Sequence, residues 1–429
     1  MKRSLFCLTI LVCIACLALS ACGDRPAPLT PQQKADAAVD ATMTATADYT
    51  FAEGKADDAL VLAREGDADM YIVAHADEGD KLIYVYQDVY YGEGEPQQNA
   101  YRYIDVYMPT AQEKLDPDTP VFLYLHGGGW VAGSRKEEQL SLMPYVASMG
   151  MVVVSMEYAL WFGLNQMDIT PLGVYGWQTY GMTQIINTVL ANEHPVSVDD
   201  MMADITACIT FLRDVYLPSL GLNATKIGIG GYSAGGHLSS LYAYKYAQES
   251  PMPLAYLMDL VGPVKLTDDN YMRLLDLLTG HTQDETGAID DTLSFLQPML
   301  ADLAPALGGI LGEDGPVDIS TEEGYAQAIA KIHTYQPIDY LNADSLPTII
   351  CYARQHDPSP LAEALFQCEF DDFIPITVYQ AISAKLDEVG VVHSDVLFDD
   401  LTHNSIGYSQ KSDKWMATAI AAYASLYCD

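Results

Sequence analysis

Two kinds of apolar pattern alternate along the chain. Near-continuous apolar runs at Pro120–His126, Met151–Ser155, Lys226–Gly230, Leu254–Val261, Leu346–Tyr352 and Ser394–Phe398 suit strands buried on both faces of a parallel sheet. Ahead of them, Met70–Ala74, Lys81–Tyr91 and Tyr101–Pro109 alternate apolar and polar residues with many β-branched and aromatic types, which predicts three further strands. Gly92–Asn99 reads as the hairpin turn between the last two, and Pro109 stops the third. Residues 137–149, 199–216, 237–248 and 376–389 place their apolar residues at helical spacing. Asp199 is the expected cap of the second of these, ahead of Met202, Ile205, Ile209 and Leu212. Alternation of this kind predicts an α/β fold, a mostly parallel central sheet with helices on both faces. No internal repeat is found.

Two long stretches break the alternation, at about 159–198 and 265–336. Both leave the C-terminal side of the expected sheet, where such folds bind ligands. They read as a lid or cap, with peripheral packing as the alternative. The aromatic residues of the first (Trp161, Phe162, Tyr175, Trp177, Tyr180) suit a ring-binding site or a core equally.

The first residues change the picture. Lys2 and Arg3 precede an uncharged run, Leu5–Leu19, too short for a membrane span and suited to a signal peptide over 1–21. The run ends in Leu19-Ser-Ala-Cys22, which resembles the bacterial lipobox. That resemblance implies lipid on Cys22 and an exported, membrane-anchored protein; a soluble secreted protein cut near Ala21 is the alternative. Residues 22–47, rich in Pro, Ala, Thr, Gln and Asp, read as a flexible tether, or as a helix from Pro31 to Val39. The remaining chain, 48–429, reads as one catalytic domain.

Charge excludes one class of partner. Acidic residues outnumber basic ones 58 to 21, and such a surface repels phosphate backbones, so nucleic acid is not expected. Cys13 and Cys16 fall inside the signal run and are given no role. Cys208, Cys351, Cys368 and Cys428 could pair in an exported protein or all stay free.

The candidate chemistry lies in two motifs. Gly231-Tyr-Ser-Ala-Gly235 is a G-x-S-x-G between an apolar run and a helical segment. That context lifts the Ser233 hydroxyl clear of the sheet at the positive end of a helix. His126-Gly-Gly-Gly-Trp130 closes the strand before it and offers unhindered backbone N–H groups to a developing oxyanion. A serine nucleophile needs a base, and the base needs an acid. Of the histidines beyond Ser233, His403 follows the last strand in a short loop, whereas His393 stands at that strand's other end. His403 is therefore the expected base. His237 is expected to hydrogen-bond within its own turn, and His281 and His333 lie in the second insertion.

These motifs, with Val89-Tyr-Tyr-Gly92, Ile104–Pro109, Gly127–Arg135, Met156-Glu-Tyr158, Asp204 and Gly231–His237, resemble the α/β-hydrolase esterases related to hormone-sensitive lipase. Among these the acetyl- and feruloyl-esterase-like carboxylesterases are the most similar. The resemblance implies an α/β-hydrolase fold and a serine carboxylesterase that hydrolyses short-chain or aryl (acetyl- or feruloyl-type) esters, small-molecule or polysaccharide-linked, through an acyl-enzyme, with no cofactor. It implies oxyanion donors at Gly128 and Gly129, joined by Ala234 from the elbow geometry. It also implies a D-x-x-[VI]-P acid, which Asp371-Asp-Phe-Ile-Pro375 matches. Asp357 stands closer to the strand end, and Asp372 is a third choice. A prolyl-oligopeptidase-like serine peptidase and an inactive hydrolase-fold binding module are the competing readings.

Overall fold

The computed structural model describes residues 28–45, 70–74, 81–96, 100–137, 141–161, 196–273, 321–355 and 368–428. Among them nine strands form one sheet: β1 Met70–Ala74, β2 Lys81–Tyr90, β3 Tyr103–Met108, β4 Val121–Leu125, β5 Val152–Met156, β6 Ile227–Tyr232, β7 Leu254–Leu260, β8 Thr348–Arg354 and β9 His393–Asp399. Their spatial order is β1-β2-β3-β5-β4-β6-β7-β8-β9. The pairs β1·β2, β2·β3 and β3·β5 are antiparallel, and every later pair is parallel. All residues of β4, β5, β6 and β7 are buried, as their unbroken apolar runs require of central strands covered on both faces.

The helices are α1 Pro31–Ala45, α2 Leu142–Ser148, α3 Val198–Phe211, α4 Ala234–Lys245, α5 Glu322–Thr334, α6 Ile376–Val389 and α7 Gln410–Tyr427. α2 packs against α7, and α3 against α4, so helices cover both faces of the sheet. The cap of α3 is Ser197, not Asp199. Its hydroxyl accepts from the Asp200 N–H while the Asp200 carboxylate accepts from the Ser197 N–H, a reciprocal box that satisfies two free donors. Asp199 instead accepts the Tyr335 hydroxyl at 2.8 Å.

The expectation of a flexible tether fails over residues 31–45, which form α1. Ala35 and Val39 are buried against the core, α1 lies along α7, and the Gln32 side chain accepts from the His393 N–H at 3.0 Å. The linker-like composition concealed a narrow face of small residues that α7 covers. Cys208, Cys351, Cys368 and Cys428 are all free thiols. The signal segment with Cys22 lies outside the described residues, as do 162–195 and 274–320 of the two insertions.

Candidate active site

At the end of β6 the backbone of Ser233 takes φ 54° and ψ −116°, a conformation that non-glycine residues rarely hold. Helix α4 begins at the next residue. The turn is fixed by the Ser233 N–H on the Leu260 carbonyl at 2.8 Å and by the His237 N–H on the Ser233 carbonyl at 2.9 Å. Strand and helix pass so closely that a Cβ on Gly235 would lie 2.1 Å from the Leu125 carbonyl oxygen, so only glycine fits. The Ser233 hydroxyl thus stands at the N-terminus of a 12-residue helix, where the field favours negative charge.

Three side chains separated in sequence meet there. His403 opens a single helical turn, His403–Ile406, after β9, and Thr402 with Ser405 forms a capping box at its start. The His403 Nε2 lies 2.8 Å from Ser233 Oγ, and its Nδ1 lies 2.8 Å from Asp371 Oδ2. The other carboxylate oxygen accepts the Phe373 and Ile374 N–H groups at 3.0 and 2.7 Å. A carboxylate on Nδ1 holds the proton there and leaves Nε2 as the acceptor for a serine hydroxyl. The His403 backbone is itself clamped, its carbonyl by the Tyr232 hydroxyl at 2.6 Å and its N–H by the Asp371 carbonyl at 2.5 Å.

The long segment before Asp371 is an excursion. The Gln355 N–H, one residue past β8, bonds the Phe370 carbonyl at 2.9 Å, so the chain returns beside its point of departure. Asp371 therefore sits at the C-terminal end of β8. Asp357 lies outside the described residues. Asp372 does not bond the imidazole; it stands at φ 111°. Burial first, and then Asp371, push its carboxyl above the ordinary value, with His403 opposing.

The loop after β4 faces the serine. Gly128, Gly129 and Ala234 line one cavity with Ser233 and His403. Gly128 takes φ +111°, and a Cβ there would meet the Ala132 carbonyl oxygen at 2.1 Å. As the first residue of α4, Ala234 has an N–H without an intrahelical acceptor. The loop is braced from below. The His126 Nδ1–H donates to the Gly127 carbonyl at 2.7 Å, its ring stacks on Tyr158 at 4.3 Å, and its Nε2 lies 3.4 Å from Glu157. Burial pulls the His126 pKa down, but Glu157 outweighs it and leaves it raised. Arg135 bonds Asp105 at 2.9 Å, and also Asp88 and Glu157.

His237 has partners beyond its own turn. Its Nδ1 accepts the Trp130 indole N–H at 3.2 Å, and its Nε2–H then donates to the Tyr335 carbonyl at 2.8 Å. Burial lowers its pKa to about 4, so the ring is neutral and its two partners select the tautomer. It ties the glycine loop to the residue that ends α5. Sequence reading missed this link, and the Trp of the H-G-G-G-W run was its one visible signal.

The cavity measures about 810 Å³, the size of a small-molecule site. Its lining is largely apolar and aromatic, with Trp130, Trp161, Tyr271 and Phe373, and it includes Ala328 and Ile332 of α5. The described flanks of both insertions thus form part of its wall. Phe162, Tyr175, Trp177, Tyr180 and His281 lie outside the described residues. His333 is half exposed and bonds Asp339 at 2.7 Å, away from the serine. Among the described residues no group of three His, Cys, Asp or Glu side chains converges on a metal position.

Comparison with known proteins agrees with this architecture. The sequence model of a family described as BD-FAE matches residues 185–363, a range that includes Ser233 but neither Asp371 nor His403. An AB hydrolase superfamily protein of Schizosaccharomyces pombe is 27% identical over 146 residues, 34% of this chain and 33% of that protein. A kynurenine formamidase of Salmo salar is 28% identical over 36% of this chain and 37% of its own length. The chain therefore matches only about a third of the length of each of these relatives. Among solved structures, esterase B of Lactobacillus rhamnosis superposes with a TM-score of 0.50 at 16% identity, covering 80% of this chain and 87% of that one. The mostly parallel sheet, the serine elbow after β6 and this superposition together give the chain the α/β-hydrolase fold.

Proposed function

We propose that the chain is a serine carboxylesterase acting on short-chain or aryl esters of the acetyl or feruloyl kind. The observation that carries this reading is the continuous hydrogen-bonded line from Ser233 Oγ through His403 to Asp371. It opens on a cavity lined by a glycine loop. The names of the relatives, an AB hydrolase and an esterase among them, support a hydrolase.

In this mechanism His403 Nε2 takes the serine proton as Oγ attacks the ester carbonyl. Asp371 keeps the imidazole oriented and stabilises its charged form. The N–H groups of Gly128, Gly129 and Ala234 receive the oxyanion. The alcohol leaves with the proton from His403. Water, activated by the same imidazole, then releases the acid from Ser233. No step calls on a metal or cofactor.

The leader expected over 1–21 and a lipid on Cys22 would export this enzyme and anchor it at the cell surface or a periplasmic membrane face, where it meets esters outside the cytoplasm. Mass spectrometry of membrane-fraction protein tests that placement, and an unmodified N-terminal peptide containing Cys22 would refute it.

Residues 23–429 treated with a fluorophosphonate should gain one adduct and should turn over p-nitrophenyl acetate. Ser233→Ala should abolish the adduct and lower turnover by about four orders of magnitude or more. Folded protein with neither adduct nor turnover would overturn the reading in favour of a binding module. Cleavage of dipeptidyl amides in preference to esters would favour the peptidase.

A further inference from the structure

Glu137 stands out in the cavity wall. Among the described residues it is the acid that lines the cavity with Ser233, and the lining holds no Lys or Arg. Its neighbours in sequence do not neutralise it. Arg135 is committed to Asp105, Asp88 and Glu157, and Lys136 lies 3.2 Å from Asp88. Burial pushes the Glu137 carboxyl above the ordinary value, and the nearby Glu157 adds to that. His126, whose Nε2 stands beside Glu157 at 3.4 Å, and the backbone at Ser134 oppose it, so the carboxylate is the working form on the alkaline side of neutral. Trp130, Trp161, Tyr232, Tyr271 and Phe373 line the same cavity, with the rings of Trp130 and Trp161 tilted together at 5.4 Å.

A carboxylate set among aromatic faces is complementary to an alkylammonium group. An aromatic ring attracts a cation through its negative face, a carboxylate attracts it by charge, and apolar side chains suit its methyl groups. The same arrangement disfavours an anionic substrate. Among the described lining residues there is no Lys or Arg to pair with a second carboxylate, which would face Glu137.

We propose that Glu137 makes the cavity charge-selective, favouring esters that carry an alkylammonium group and rejecting esters that carry a carboxylate. The proposal rests on the esterase reading for its substrate but not for its binding chemistry, and the two can fail separately.

The test compares acetylthiocholine with its uncharged isostere, 3,3-dimethylbutyl thioacetate, at mildly alkaline pH and high salt. High salt screens the field of the rest of the acidic surface. The wild type should show kcat/KM higher for the cation by about tenfold. Glu137→Gln should bring that ratio close to one. Calorimetric titration with phenyltrimethylammonium gives a readout without turnover, and wild type should bind it about tenfold tighter than Glu137→Gln. Turnover of the uncharged ester with no preference for the cation in wild type would overturn the proposal and leave the esterase standing. Turnover of neither ester, with no fluorophosphonate adduct and no p-nitrophenyl acetate turnover but Glu137-dependent binding of the ammonium probe, would overturn the esterase and leave the charge-selective cavity. Equal binding of the probe by the two proteins would overturn the role of Glu137 in either case.

Discussion

Asp371 is held by more than its histidine. Two backbone N–H groups bond the oxygen that His403 does not use, so the carboxylate keeps its place when the imidazole changes charge. Asp371→Asn should therefore leave the fold intact but favour the wrong imidazole tautomer, lowering kcat on an activated ester by about 10⁴-fold. Asp372→Asn should stay within about threefold of wild type. Equal losses in the two variants would remove Asp371 from its assigned place.

Asp259 makes stability depend on pH. It is fully buried, and burial pushes its pKa up to about 7, against the hydrogen bonds from Tyr352 and the Gly262 N–H. The Tyr352 hydroxyl lies 2.8 Å from Asp259 Oδ2 and 2.5 Å from the Gly262 carbonyl. One hydroxyl proton cannot serve two acceptors, but a protonated Asp259 donates to Tyr352 and lets Tyr352 donate to Gly262. The native state then keeps a proton that the unfolded chain releases near pH 4. Stability from this group is full below about pH 4 and is lost as pH rises to about 7. Asp259→Asn, a mimic of the protonated acid, should flatten the fall in urea midpoint across that window. An unchanged pH profile would show that Asp259 is ionised in the native protein.

Among the elements, α1 and α7 depend on each other. α1 buries Ala35, Val39 and Thr42, spaced so that small side chains lie along one face against α7. Ala35→Glu would set a charge into a position with no exposure and should destabilise the protein by about 2 kcal/mol or more. Thermal unfolding checks this, and an unchanged midpoint would mean that α1 undocks at no cost. Both helices were hard to read for the same reason. The buried side of α7 includes Met416, Ala417, Ala419, Ile420, Tyr423 and Ala424, and alanine contrasts weakly with the polar residues beside it. The nine strands were legible because Val, Ile, Tyr and Leu crowd into short runs bounded by Pro, Gly and Asp. Helix starts were less so. The cap of α3 falls on Ser197 because cap geometry depends on the chain's entry angle, and Asp199 and Ser197 are equally good caps on composition.

At the scale of the whole molecule, the formal charge of −37 should act on approach as well as on binding. Cationic esters should lose kcat/KM as salt rises from low ionic strength, and uncharged esters should not. Stopped-flow or initial-rate measurements over a salt series check this. A salt slope that is equal for the two substrates would mean that the acidic surface does not steer substrate.

By itself the sequence determined the strand–helix alternation, the serine elbow, the glycine loop and the histidine after the last strand. Each is a local pattern, set by side-chain period, by glycine where backbones crowd, or by position at a strand end. Which carboxylate joins the histidine was decided only in three dimensions. Asp371 and Asp357 differ in their distance along the chain from β8, and the pairing of Gln355 with Phe370 brings Asp371 back beside that strand. The docking of α1, the bond from Trp130 to His237 and the exposure of Glu137 to the cavity arise in the same way. They are contacts between surfaces that local periodicity does not encode, and burial against a distant segment gives each its energy.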